Sequence, residues 1–383
     1  MLGVSRRSLV KDKFLVIFFF VTAMLAASIF LHRWTVTDLG VESFGRLWQY
    51  YVSYFDFGFL RRGFLGTFLT ESGLSSLISD PYVFAYIFYQ LKIFLLGALV
   101  LVFFLRNNVF DSWHGYAVVF FSPAFILQSG YLTGTQDLQL LILSAICVLY
   151  LNSWLGLVIV GVFGILMHEL FMFVFPALAL VFYLRKVGSA NVEVSNMYKG
   201  VLATVCVASS LLIVIFFGVD VERNVYEDLM ADRMGQAAYD HGLWSGYFEV
   251  FSSVDQNVNI GFNALKGIVD SWVYVLLPVI YAIALAIIVA VHLDGKVWKK
   301  IVLFSVLVFP IFVIFVASDF YRWVGMSANV SLLALVVLHN ENLIKVSRRV
   351  LWIILPFSLL APLGAAGLER PFPAHQMVLE RLF

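Results

Sequence analysis

The feature that most constrains this chain is its succession of apolar runs. A membrane-spanning helix needs about 20 predominantly apolar residues. Eleven segments meet or approach that length: 14–31, 82–105, 115–131, 138–151, 155–167, 170–184, 200–218, 271–292, 301–318, 323–339 and 350–367. Of the 383 residues, 62% are hydrophobic and 13% are charged, whereas about 25% of residues are charged in soluble domains. The sequence therefore predicts an all-α polytopic membrane protein with nine to eleven transmembrane helices.

The distribution of charge between the loops predicts how the chain is oriented. With eleven spans and the N-terminus inside, the inner segments hold fourteen Lys and Arg against five acids, and the outer segments hold ten against nineteen. Cytoplasmic loops carry such an excess of Lys and Arg. Joining 155–184 alone into one helix would put three basic clusters outside, so this alternative is rejected. Joining both 155–184 and 115–151 restores the balance and stays open as a nine-span alternative.

The whole chain, 1–383, is predicted to form a single transmembrane domain. Residues 1–218 form a catalytic-type core that includes a long outer loop over 32–81. Residues 219–270 form a second outer loop, which is acidic at its start and carries aromatic residues further along. Residues 271–383 contribute the C-terminal helices.

The first outer loop contains an unusual stretch of charged and aromatic residues. Its flanks, 36–53 and 64–79, have the pattern of amphipathic helices that lie along a membrane interface. Between them, 54–66 sets three charges among aromatic residues: Asp56, Arg61 and Arg62. This composition suits neither a lipid-facing helix nor open water, so we expect it at the interface. Adjacent arginines can bind phosphate oxygens there; the alternative is that they neutralise lipid headgroups.

Ionisable residues in or next to membrane spans are functional candidates, and in this topology they converge on the outer face. Four of them can accept a proton and are the predicted catalytic residues: Asp56, Asp137, His168 and Glu169. Four others form the predicted substrate- or phosphate-binding set: Arg61, Arg62, Asp319 and Arg322. Convergence on one face predicts a site rather than a pathway through the membrane. Lys92 is the lone base inside a span and is given no role.

Structural roles stay open for several of these residues. The turn before the fourth span can instead be a helix cap, in which Thr135, Gln136 or Asp137 binds the first backbone N–H groups of the helix. His168 and Glu169 can form a polar pair in the turn between two short spans. Asp319 and Arg322 are three residues apart, a spacing at which salt bridges form on a helix.

The sequence predicts no metal-ligating residues. Cys147 and Cys206 both lie in apolar runs and imply neither a disulfide framework nor a metal-binding thiol cluster. Position 172, where a HExxH zinc motif starting at His168 would place its second histidine, is Met172.

The turn at 134–137 carries a resemblance to a known group of enzymes. It reads Gly-Thr-Gln-Asp and leads into the fourth span. The arrangement of the first half of the chain is similar to that of the C-type membrane glycosyltransferases. It consists of a basic start, one span, a long outer loop with two interfacial helices and an acid, and then short spans joined by this turn. Several of their families have a Gly-Gln-x-Asp-like turn in the second outer loop. The resemblance covers roughly the first half of the chain.

This resemblance implies a polyprenyl-phosphate-linked sugar donor, an inverting transfer on the extracytoplasmic face and a first-loop acid as catalytic base. That base falls on Asp56, with Asp38 as the other first-loop candidate. The adjacent pair of acids that some members carry in this loop is absent here. A metal-free reaction and one assisted by Mg²⁺ or Mn²⁺ therefore both stay open.

Together these observations predict a membrane glycosyltransferase. It would move a sugar from a polyprenyl phosphate or diphosphate carrier to an extracytoplasmic acceptor in cell-envelope polysaccharide or glycoconjugate assembly. We expect a bacterial cytoplasmic (inner) membrane location, a site on the periplasmic face, contact with membrane lipid and no nucleic-acid partner. One alternative is an O-antigen-type polymerase or ligase that works with Arg61, Arg62, His168 and Arg322. The other is a transporter or lipid-carrier exporter, although the sequence has no internal inverted repeat.

Overall fold

The computed structural model describes residues 6–32, 44, 46–59, 62–122, 124–125, 136–188, 194–216, 221–240, 247, 251, 256, 259, 272–315 and 320–360. Within these ranges the predicted all-α class is confirmed, and the sole strand-like contact is an isolated bridge between Leu293 and Ile344. The α-helices are α1 (Arg6–His32), α2 (Tyr54–Phe57), α3 (Gly63–Glu71), α4 (Pro81–Arg106), α5 (Trp113–Phe120), α6 (Asp137–Ala145), α7 (Trp154–Met167), α8 (Phe175–Val187), α9 (Val194–Phe216), α10 (Arg223–Met234), α11 (Gln236–Asp240), α12 (Trp272–Val291), α13 (Val297–Val308), α14 (Phe320–Asn340) and α15 (Arg348–Leu360). A π-helical turn continues α6, and 3₁₀ segments lie at Leu47–Tyr50, Leu74–Ser76, Glu169–Phe173 and Phe309–Phe315.

Two helices in the described ranges are long and apolar enough to cross a membrane: α4, and the Arg322–Asn340 part of α14. Shorter apolar stretches of 10–17 residues lie within α1, α6, α7, α9 and α12. Nearly all of the span in α14 is buried, whereas less than half of α4 is. Helix α14 is therefore central and α4 peripheral, and the full number of membrane crossings stays a prediction.

Helices α7 and α8 form an antiparallel hairpin. The ring of Trp154, at the start of α7, lies 5.0 Å from that of Phe182, near the end of α8. Close to the turn, Gly164 faces Phe171 so closely that an added Cβ would lie 2.0 Å from the ring. The alternative of one helix over 155–184 is therefore wrong, and with it the nine-span arrangement that required this helix.

Polar contacts between distant parts of the chain define two ends of the helix bundle. At one end, the Arg185 guanidinium donates to the carbonyls of Val148 and Leu151 at 3.1 Å and lies 3.5 Å from Glu341. All four residues lie at or next to predicted inner ends of spans. We call this the basic end, after Arg185 and Lys186 in the last turn of α8. The acid, imidazole and arginine side chains discussed below meet at the opposite end, which we call the site end.

The described part of the first outer loop contains less helix than predicted. The expected helix over 64–79 stops at Glu71, because Gly73 adopts a left-handed backbone with φ 72° that ends it. Of the expected helix over 36–53, residues 44 and 46–53 are described, where Leu47–Tyr50 forms one 3₁₀ turn and 51–53 are not helical. Helix α3 packs so tightly on this turn that an added Cβ at Gly66 would lie 2.1 Å from the carbonyl oxygen of Val52.

Helix α10 of the second outer loop completes a small hydrophobic cluster with the first loop. Tyr226 and Met230 are fully buried against Phe57 and its neighbours. The hydroxyl of Tyr82 donates to Asp240 of α11 at 2.9 Å, which adds a polar link between the same loops. The two outer loops therefore form one covering layer at the site end.

Candidate active site

His168 ends helix α7 and precedes the 3₁₀ segment Glu169–Phe173. Its backbone is extended (φ −156°, ψ 117°), its N–H donates to the carbonyl of Gly164, and its Nδ1 accepts a hydrogen bond from the Leu170 N–H at 3.3 Å. Since Nδ1 accepts, the proton of the neutral ring lies on Nε2. The ring is 2% exposed and packs edge-on against Trp323 of α14 at 5.6 Å. Burial, together with the charge of Arg62, lowers the pKa of His168 to about 3.

Asp137 and Arg322 form a buried bidentate ion pair. The Nε and Nη2 of Arg322 donate to the two carboxylate oxygens of Asp137 at 2.5 and 2.6 Å. Gln136 occupies the cap position of α6 and makes no side-chain capping bond, so neither it nor Asp137 caps this helix, and Thr135 lies outside the described residues. The proposed Asp319 partner of Arg322 lies outside the described residues. The pair joins the start of α6 to the first turn of α14.

A second ion pair joins Arg62 to Glu169. The Nη2 of Arg62 lies 3.1 Å from one carboxylate oxygen and its Nε 3.5 Å from the other. Arg62 has a left-handed backbone (φ 64°), which is uncommon for a residue with a side chain. The Gln136 amide donates to the Arg62 carbonyl at 3.0 Å and helps to hold that conformation.

The two ion pairs and the imidazole are brought together by neighbours in the sequence. Asp137 directly follows Gln136, whose side-chain amide donates to the Arg62 carbonyl. Glu169 directly follows His168, and its Oε2 lies 3.5 Å from the Nδ1 of that histidine. All four charged side chains of the two ion pairs lie close enough to His168 to act on it electrostatically. The structure therefore gathers five of the eight residues predicted from the sequence: Arg62, Asp137, His168, Glu169 and Arg322.

Exposure distinguishes the two pairs. The side chains of Asp137 and Arg322 are 6% and 7% exposed, whereas those of Arg62 and Glu169 are 13% and 14% exposed. Breaking a buried ion pair leaves an uncompensated charge and costs about 3–5 kcal/mol. The Arg62–Glu169 pair is longer and closer to solvent, so it is the easier of the two pairs to separate.

Asp56 lies on α2 and is bound by a residue that the sequence analysis did not single out. Its carboxylate is 2.6 Å from Nη2 of Arg233 on α10, and the same guanidinium donates to the Tyr51 carbonyl at 2.6 Å. Arg233 sits in a loop dominated by acids, so nothing in the sequence marked it. Arg61 and Asp38 lie outside the described residues.

Lys92 was given no role from the sequence, yet it belongs to the surroundings of the site. Its Nζ donates to the hydroxyl of Tyr50 at 2.7 Å and lies 4.5 Å from the centre of the Tyr89 ring. It also interacts electrostatically with Asp137. A single lysine in an apolar run gives no sequence signal of these contacts, because Tyr50 comes from the outer loop.

Within the described ranges, no group of three or more His, Cys, Asp or Glu side chains is placed to hold a metal ion, and the divalent cation stays a prediction. No family model, curated protein or solved structure matches this chain. The interpretation of the site therefore depends on its own residues.

We expect Arg322→Met to destabilise the protein by about 3–5 kcal/mol, because it leaves the Asp137 carboxylate buried without its partner. The double variant Asp137→Leu with Arg322→Met should recover most of this loss. Thermal unfolding in detergent, followed by tryptophan fluorescence, measures both. Arg223→Ala is the control, since the exposed Arg223–Glu227 pair should contribute less than about 1 kcal/mol. Unchanged stability of Arg322→Met would show that the pair does not hold α6 to α14.

We expect His168 to make the protein less stable as the pH falls below about 6.5, the pKa of an exposed histidine. With a folded-state pKa of about 3, the unfolded chain takes up the proton first. The stability contribution is complete above pH 6.5 and decreases below it by about 1.4 kcal/mol per pH unit. Unfolding temperatures at pH 7.5 and 5.5 should therefore differ less in His168→Gln than in the wild type. Equal differences in the two proteins would contradict a neutral buried imidazole.

Proposed function

We propose that this protein is a membrane glycosyltransferase that moves a sugar from a polyprenyl-phosphate-linked donor to an extracytoplasmic acceptor. The observation that carries the proposal is the grouping of two guanidinium–carboxylate pairs and one neutral imidazole at one end of an apolar helical bundle. Guanidinium groups bind phosphate oxygens, and carboxylates accept protons from hydroxyl groups. A site for phosphate-activated group transfer needs both.

The proposed location is the bacterial inner membrane, with the site end on the periplasmic face. Two long apolar helices, α4 and α14, support a membrane location. Arg185 and Lys186 lie at the opposite, basic end, which we propose is the cytoplasmic face because such faces carry an excess of Lys and Arg. We retain the arrangement of eleven spans with the N-terminus inside as part of this proposal.

Arg62 is the proposed ligand of the donor phosphate. Its guanidinium is held at 3.1 Å by Glu169 in the resting protein, so a phosphate can replace the carboxylate without leaving the cation unpaired. A left-handed conformation at a non-glycine residue costs on the order of 1–3 kcal/mol and clusters at functional sites. The strain at Arg62 supports a functional position rather than a lipid-neutralising loop.

Glu169 is the proposed general base. Once the phosphate binds Arg62, the released carboxylate takes the proton of the acceptor hydroxyl. The acceptor oxygen then bonds to the anomeric carbon while the bond from that carbon to the phosphate oxygen breaks. The departing lipid phosphate carries away the electron pair, and Arg62 neutralises its charge. His168, being neutral, adds no competing charge beside the base.

Asp137, Arg322 and Asp56 take other roles in this scheme. The buried pair of Asp137 and Arg322 positions the ends of α6 and α14. Asp56, the base implied by the family resemblance, is held by Arg233 at 2.6 Å. It is the second candidate for the base, because the same exchange with an anionic substrate would free it.

A second function, an envelope polysaccharide polymerase or ligase, is favoured by a specific grouping. Of the four residues proposed for that activity, three lie together at the site end: Arg62, His168 and Arg322. Product length separates the two functions. A polymerase gives a ladder of repeat units from a lipid-linked oligosaccharide, and a transferase adds one sugar.

We expect Arg62→Ala to weaken binding of polyprenyl phosphate by about 10- to 150-fold, the effect of losing a hydrogen bond to a charged group. Glu169→Gln should abolish turnover but bind polyprenyl phosphate as tightly as the wild type or more tightly, because the competing carboxylate charge is gone. Both are measured in nanodiscs, binding by native mass spectrometry and turnover by single-sugar transfer from a polyprenyl phosphate sugar.

Arg223→Ala, which removes an exposed ion pair, is the matched control and should change neither quantity. If Glu169→Gln keeps turnover and Asp56→Asn loses it, the base is Asp56. If polyprenyl phosphate binds wild type and Arg62→Ala equally, the phosphate site is elsewhere and the proposed function loses its support.

A further inference from the structure

The imidazole of His168 has one ring nitrogen that the resting protein uses and one that it does not. Nδ1 accepts a hydrogen bond from the Leu170 N–H at 3.3 Å, so the neutral ring carries its proton on Nε2. Within the described part of the chain, no hydrogen bond reaches Nε2. The ring is only 2% exposed, and a buried donor without a partner is destabilising. A ligand that accepts from this N–H would remove that cost.

The free N–H lies at the tip of a side chain whose direction is fixed. Nε2 is on the edge of the ring that is farther from the backbone, whereas Nδ1 is held by Leu170. Trp323 packs edge-on against the ring at 5.6 Å. Of the charged side chains that surround the ring, Arg62 acts on it most strongly. A phosphate bound to Arg62 would therefore lie beside the imidazole.

Glu169 is the group that a phosphate would displace from this place. One of its carboxylate oxygens lies 3.1 Å from Nη2 of Arg62, and the other lies 3.5 Å from Nδ1 of His168. The Arg62–Glu169 pair is also the easier of the two ion pairs to separate. When a phosphate takes the place of the carboxylate at Arg62, it therefore removes the group that lies against the imidazole.

We propose that the Nε2–H of His168 donates a hydrogen bond to an oxygen of the lipid-linked phosphate that Arg62 binds. The inference rests on the proposed function and assigns a donor role to a residue that was predicted from the sequence to accept a proton. The imidazole keeps its proton throughout the reaction. Glu169 takes the proton of the acceptor hydroxyl, and His168 stabilises the charge that develops on the departing phosphate.

The charge state of the ring agrees with this role. Burial, together with the charge of Arg62, lowers the pKa of His168 to about 3, so the ring is an uncharged donor near neutral pH. An uncharged donor adds no repulsion beside the guanidinium groups of Arg62 and Arg322. The one basic nitrogen of the neutral ring, Nδ1, is occupied by the Leu170 N–H, so the ring is badly placed to act as a general base.

Two substitutions of His168 test its two nitrogens separately. The side-chain amide of glutamine can place its N–H where Nε2 was, whereas the shorter asparagine reaches only the place of Nδ1. We expect His168→Gln to weaken binding of undecaprenyl phosphate less than about threefold and His168→Asn to weaken it about tenfold or more, the effect of losing a hydrogen bond to a charged group. Native mass spectrometry in nanodiscs measures binding, and Arg223→Ala is the matched control. Thermal unfolding shows that each variant is folded.

Three results would overturn the proposal. Weak binding in His168→Gln with normal binding in His168→Asn would assign the residue a structural role through Leu170. Equally weak binding in both variants would show that the imidazole itself is required. Normal binding in both would show that the ring does not contact the phosphate. If His168→Asn does not fold, His168→Leu takes its place, because leucine fills a similar volume and has no donor.

Sugar transfer separates this inference from the proposed function. If the binding order holds but the wild type transfers no sugar, the donor role stays and the transferase is removed. If the wild type transfers sugar, and His168→Gln, His168→Asn and His168→Leu keep its kcat and its KM for the lipid donor, the transferase stays and the donor role is removed.

Discussion

The buried ion pair between Asp137 and Arg322 fixes the geometry on which the site end depends. Their side chains are 6% and 7% exposed, so separating the two charges would leave each of them poorly solvated. The residues next to them are held in turn: Gln136 supports the backbone of Arg62, and Trp323 packs on the His168 ring. The Asp137–Arg322 pair thus helps to position Arg62 of the second ion pair and the His168 imidazole between the two pairs.

The convergence of charges on one end could be predicted from the sequence, but their pairing could not. Two short apolar runs and the charges of the loops on either side were enough to predict a turn at His168 and Glu169. The antiparallel hairpin of α7 and α8 confirms this turn. The partner of Arg322 depends on tertiary packing. Asp319 is near in the chain, whereas Asp137, the partner observed, is 185 residues away.

The same limit explains what sequence reasoning missed in the outer loops. Arg233 was hidden among acids, and only the packing of α10 on the first loop brings it to Asp56. Lys92 had no pattern around it that distinguished a satisfied lysine from a ligand-binding one. Helix ends were misjudged where a glycine decided them, since Gly73 stops α3 in a conformation that hydrophobic periodicity does not encode.

The pairing of Arg62 and Arg322 with carboxylates and the burial of His168 have a joint consequence for charge. At neutral pH the two guanidinium groups are matched by two carboxylates, and the imidazole between them is neutral. This set carries no net charge, so it creates little long-range attraction for an anion in solution. A charged ligand in solution would therefore associate with this set at a rate nearly independent of ionic strength.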